Sequence, residues 1–173
     1  MPGPIIATLC ILAVVVIIVG AMWLGWRRRQ RTQSHLPSPK QLPAGLGTPV
    51  FAVDDAHYVA TSKTGNALDR IAKRPLAYRG RATVEVHPQG LALGIAGEEP
   101  FFIPTAQLET VAVAQATIDR AVERDGLIVV RWLLDPAQSV ETYLRVVNPD
   151  ERATLLTSIG ELIEPSATTQ ETA

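Results

Sequence analysis

Six cations fall between positions 63 and 81: Lys63, Arg70, Lys73, Arg74, Arg79 and Arg81, with Asp69 the only acid among them. A guanidinium donates two parallel N–H bonds from a planar fork, and an ammonium supplies a point charge, so this set could hold phosphate. Three uses fit such a stretch. It can form a pocket for one anionic lipid headgroup. It can be a solvated loop facing an anionic leaflet, where each charge contributes about 1 kcal/mol. Or it can be a docking surface for a protein partner.

A second polar group, Asp54, Asp55 and His57, has the residue types of a metal site. On a strand Asp55 and His57 share a face and Asp54 does not. No further ligand is placed beside them, so they read as a polar strand start and no metal is expected. His35 lies in a proline-rich stretch and His87 precedes a proline in a turn, and neither reads as a ligand. Ser62, Ser139 and Ser158 lack the G-x-S-x-G setting of an activated serine. The one thiol, Cys10, lies in an apolar run. Neither G-x-x-x-x-G-K-[ST] nor G-x-G-x-x-G occurs. Glu98 and Glu99 read as solvated charge in a turn. Neither an enzyme nor a cofactor is expected.

The elements that must carry these residues begin with an anchor. The chain has 173 residues and a net charge of −1, yet the charge is unevenly placed. From Arg27 to Arg81 there are 11 basic and 3 acidic residues, and from Ala82 to Ala173 there are 5 and 14. The balance argues against a nucleic-acid binder. Residues 1–26 carry no charged side chain. Ile5 to Trp26 is 22 residues without a charge, about 33 Å as a helix, which matches a bilayer core of roughly 30 Å. Trp23 and Trp26 suit the headgroup level, and Arg27, Arg28, Arg29 and Arg31 follow them. Positive charge stays inside. A single-pass helix over 5–26 is therefore expected in the plasma (inner) membrane, with residues 1–4 outside and the rest in the cytoplasm. A cleaved signal peptide would need basic residues before a shorter apolar core.

Residues 27–47 read as a linker, first basic, then rich in proline. A domain is expected over 48–163 and a disordered tail over 164–173. Within the domain, Val50–Thr61, Arg81–Val86, Leu91–Ile95, Phe101–Ile103, Leu108–Ala114, Leu127–Leu134 and Glu141–Val147 have strand character. Leu144 and Val146 are expected inward, Tyr143 and Arg145 outward. His87-Pro88-Gln89-Gly90 and Ala96–Glu99 are turns, and 135–139 is a hairpin loop. Asn148-Pro149-Asp150-Glu151 then starts a helix, with Asn148 as cap. Leu155, Leu156, Ile159, Leu162 and Ile163 form one apolar stripe, and the helix is expected to end before Pro165. About seven antiparallel strands and one C-terminal helix make a mainly β domain, a bent sheet or open barrel covered by the helix.

Element order, length, the closing helix and the run GRATVEV–turn–LALGI–turn–FFIP resemble the pleckstrin-homology (PH) superfold. More narrowly, the chain is similar to small single-pass membrane proteins of actinobacteria that carry a PH-like domain. The resemblance covers 48–163, with the span before it. Thirteen Arg against three Lys, with 22 Ala and 2 Asn, are compatible with a GC-rich source. Phosphoinositide-binding PH domains carry a lysine and then a basic-x-basic step in their first loop, and Lys63 with Arg79-Gly80-Arg81 is similar. Eukaryotic PH domains usually have a tryptophan in the closing helix, whereas here Trp132 lies on a strand. With no catalytic or metal site expected, the function expected is an adaptor or scaffold for a protein partner at the membrane. A sensor of anionic lipid headgroups through Lys63–Arg81, and an accessory subunit of an export or transport system, are its alternatives.

Overall fold

A computed structural model of the chain describes residues 3–32, 36–114, 116–117, 120–121 and 126–169. They form two compact units, Met1–His35 and Leu36–Ala173.

The first unit is one helix, α1 (Gly3–Thr32). Its segment Thr8–Gly25 is long and apolar enough to cross a membrane, and none of it is buried within the protein. Apolar side chains point outward all round it, from Leu9 to Leu24. A helix of this kind needs an apolar surrounding rather than one apolar partner. The helix continues beyond the expected span, through Arg27–Arg31, because straight-chain arginines are good helix formers. Arg27 lies over the Trp23 ring at 5.0 Å, one turn back.

The second unit is β1 (Lys40–Gln41), β2 (Phe51–Lys63), β3 (Asn66–Arg70), β4 (Gly80–His87), β5 (Gly90–Ile95), β6 (Phe101–Pro104), β7 (Leu108–Ala114), β8 (Ala116–Thr117), β9 (Arg120–Ala121), β10 (Leu127–Asp135), β11 (Gln138–Val146) and α2 (Pro149–Thr169). Nine strands make one open antiparallel sheet in the order β1-β6-β5-β4-β2-β11-β10-β7, with β3 paired to β2, and β8 and β9 form a separate ladder. The seven expected strands are its frame, and β1 and β3 are additions. The strand β2 is the pivot. Its first half pairs with β4 and its second half with β11, and the register slips on both sides, between Val53 and Ala56 and opposite Tyr143–Leu144. Such irregularities bend a strand, which lets one strand serve both halves of a folded sheet.

The inner face holds one core, in which Trp132 stacks on Phe101 at 6.5 Å between ring centroids. The helix α2 lays Leu155 and Ile159, both fully buried, against this core, and Leu156, Leu162 and Ile163 pack at its margin. Its start is as expected: Asn148 Oδ1 accepts the Asp150 N–H at 3.0 Å. It runs on to Thr169, past the end expected before Pro165 and into the segment read as tail.

Two further expectations need correction. Part of the linker belongs to the domain: Leu36 is buried in the core, and β1 pairs with β6 through Lys40↔Phe102 and Gln41↔Phe101. An apolar residue ahead of a short extended run is enough to close the open edge of β6. Tyr143 lies on the outer face beside Glu141, as expected, but is covered there rather than exposed, with its hydroxyl donating to Glu141 Oε2 at 2.9 Å. Burial first, and then the Glu141 bond, raise its pKa.

A line of polar groups crosses the core. Trp132 Nε1 donates to Thr142 Oγ1 at 2.9 Å, Thr142 and Thr61 share a hydrogen bond at 2.7 Å, and Thr61 is bonded to the Tyr58 hydroxyl. That hydroxyl also donates to the Leu76 carbonyl at 3.3 Å. Burial pushes the Tyr58 phenol well above its ordinary value, against the smaller opposing effects of Thr61 and Arg70. The strands β10, β11 and β2 are thereby tied to the basic loop after β3.

Candidate functional site

The loop that carries the basic stretch leaves β2, makes the short return strand β3 and turns through Arg74-Pro75 before β4 begins. Its cations do not converge. Lys63 Nζ lies 3.0 Å from Asp69 Oδ2. Arg70 Nη2 donates to the Val59 carbonyl at 2.8 Å, and Lys73 Nζ donates to the Leu36 carbonyl. These three have structural partners. Arg74 is 74% exposed, its guanidinium lies over the Tyr78 ring at 5.4 Å, and its Nε is 3.7 Å from Glu98 Oε1. Arg81, at the start of β4, pairs with Asp55 at 3.2 Å on the adjacent strand. Arg79 is exposed between them.

The second polar group also disperses. Asp54 is exposed, Asp55 faces Arg81, and His57 sits opposite both Arg81 and Arg145 in the cross-strand register. Among the described residues no group of three or more His, Cys, Asp or Glu side chains could hold a metal. His87 is fully buried, with Nε2 3.1 Å from Glu85 Oε2.

One concavity collects part of the basic loop. It has a volume of about 390 Å³ and is lined by Ser38–Gln41, by Arg74 and Pro75, and by the Gly97–Phe101 turn. Glu98 corrects the reading of that turn as solvated. Its side chain is only 6% exposed, and its Oε1 accepts no hydrogen bond among the described residues. Glu98 reads as turn charge because nothing in the sequence shows that its turn and the β1 segment line one groove. Lys40 was missed for the same reason, since it lies in what reads as linker.

A family model described as bacterial PH domain-like matches residues 35–160. The chain belongs to the bacterial PH domain-like family. Among curated proteins no sequence matches the chain. Among solved structures, a chain of "The 8S snRNP Assembly Intermediate" is similar, with 10% sequence identity and a TM-score of 0.49, over 72% of this chain and 89% of that one. The family match begins one residue before buried Leu36 and ends one residue after buried Ile159. It therefore takes in β1, which belongs to this PH-like domain and not to a free tether.

Proposed function

We propose that the protein is a single-pass membrane anchor carrying a PH-like interaction module, which acts as adaptor or scaffold for a protein partner at the plasma membrane of an actinobacterium. The observation that carries this reading is an apolar helix of membrane-spanning length on the same chain as a PH-like domain. Its orientation, N-terminus outside and domain in the cytoplasm, is supported by Arg27, Arg28, Arg29 and Arg31 following the apolar run. A protein partner is favoured over a phosphate clamp built on the whole stretch Lys63–Arg81. Lys63, Arg70 and Lys73 have internal partners and Arg81 pairs with Asp55, whereas the contact of Arg74 with Glu98 is long. A cation already paired offers less to a second anion.

A C-terminal alkaline phosphatase or fluorescent-protein fusion tests the orientation. Cytoplasmic fluorescence without phosphatase activity is expected, and the reverse would overturn it. Purification of the full chain from detergent-extracted membranes tests the role. A stoichiometric soluble partner supports the adaptor. Permease subunits would replace it with an accessory subunit of a transport system, and lipid alone with a lipid sensor.

A further inference from the structure

The groove beside the Arg74 turn contains an acceptor whose demand is not met. Glu98 lines it with a side chain more than nine-tenths buried, and its Oε1 has no hydrogen-bond donor among the described residues. The nearest cation is Arg74, whose Nε at 3.7 Å is beyond hydrogen-bond distance and whose side chain is mostly in solvent. A carboxylate oxygen withdrawn from water without a donor is a costly arrangement, and a ligand with a charged N–H would relieve it.

The same groove carries two cations, Arg74 and Lys40. A partner's lysine or arginine side chain aimed at Glu98 would meet both. The lining also includes the exposed Glu99, so a ligand with a cation and an anion a few bonds apart presents the cation to the carboxylate side and the anion to Arg74 and Lys40. The apolar walls given by Pro75 and Pro100 suit the methylene bridge between the two charges. A volume of about 390 Å³ falls at the small end of ligand sites, which run roughly from 300 to 1,000 Å³.

We propose that this groove binds a phosphoethanolamine group, with the primary ammonium donating to Glu98 Oε1 and the phosphate held by Arg74 and Lys40. Arg74 gives up its long contact with Glu98 and turns its fork to the phosphate, a better match for planar bidentate donation. A quaternary amine has no N–H to donate, so phosphocholine binds more weakly. The group has two sources, a lipid headgroup or a free phosphoethanolamine ester. The site stands independently of the adaptor reading, because its test measures a small ligand and no protein partner.

The experiment uses the full chain in detergent micelles, titrated by calorimetry with glycerophosphoethanolamine, glycerophosphocholine, glycerol phosphate and ethanolamine. The first should bind about tenfold more tightly than glycerophosphocholine or glycerol phosphate, the worth of one charge-assisted hydrogen bond, and by a larger factor than ethanolamine, which lacks both phosphate contacts. Glu98→Gln should remove that preference while the circular dichroism spectrum and thermal melt stay native, and Lys40→Ala, at an exposed position, should weaken phosphate-bearing ligands alone. In nanodiscs, added phosphatidylethanolamine should compete with the soluble ester if lipid is the source, and should leave its affinity unchanged if a soluble ester is. Equal binding of the choline and ethanolamine esters would overturn the proposal. So would full affinity in a folded Glu98→Gln protein, or equally tight binding of a phosphate-free lysine peptide.

Discussion

Thr142→Val removes one hydroxyl from the middle of the polar line through the core and keeps the side chain's shape. Two hydrogen bonds go with it, from Trp132 Nε1 at 2.9 Å and with Thr61 Oγ1 at 2.7 Å. Each contributes about 1 kcal/mol net, and an indole N–H left buried without an acceptor adds about 1–3 kcal/mol. Thr61 keeps Tyr58 as its partner, so its loss is partial. The expected total is about 2–4 kcal/mol, a large fraction of a typical domain stability of 5–15 kcal/mol. With a urea slope of about 1–3 kcal/mol per molar, the midpoint should fall by at least about 0.7 M. Replacing Trp23 and Trp26 by Phe leaves Trp132 as the only tryptophan, so its emission reports the core of the full chain in micelles. A second background, Trp132→Phe, removes the donor. There Thr142→Val should cost only about 1 kcal/mol by circular dichroism, because no N–H is orphaned. A loss below about 0.5 kcal/mol, or the same loss in both backgrounds, would refute the reasoning.

Ile159→Asp buries a charge between α2 and the sheet, where no partner faces it. A loss of about 3–5 kcal/mol is expected in thermal unfolding, and an unchanged melt would mean that the helix is not docked. The alkaline limb of stability follows from Tyr58 and Tyr143, both raised above the ordinary 10.0. A group with a raised folded-state pKa contributes stability that is complete below its unfolded value and is lost as pH climbs through the folded one. The urea midpoint should therefore hold up to about pH 10 and fall above it, and Tyr58→Phe should flatten the fall; a midpoint indifferent to alkali would count against the buried phenols.

Alternation and turn chemistry are strong signals, and they carried most of the frame. Leu108–Ala114 has its expected bounds, and Pro88-Gln89 turns β4 into β5 as proline and its neighbours require. Gly90 there has φ +149°, and a Cβ would meet the Ile103 carbonyl oxygen at 2.2 Å. Asn148 caps the last helix as its type suggests. Short pairings leave no such trace. Two residues in β1 have no period, so Lys40-Gln41 and Leu36 read as tether. Thr61 and Thr142 look like ordinary strand polar residues, and only the fold shows that they meet across 81 positions. The basic stretch was legible as composition and illegible as a site. Six charges close in sequence take partners as far apart as Leu36, Val59, Asp69 and Glu98 because the loop folds back along the sheet.

The strand β2 has a consequence for how the protein is made. It is completed on one side by β4, which begins 17 positions after Lys63, and on the other by β11, where Val140 pairs with Lys63 itself. Chains emerge from the ribosome at about 5–20 residues per second, so β2 waits several seconds for its second neighbour. Until then β2, β4, β5 and β6 can pair, but the far edge of β2 stays open and Thr61 lacks Thr142. A nascent chain stalled before Gln138 would present a 13-residue strand with one raw edge. That is a template for pairing with another copy. The order of the strands in the sequence thus makes the interval between the emergence of β2 and that of β11 the one in which this domain is most exposed to misassembly.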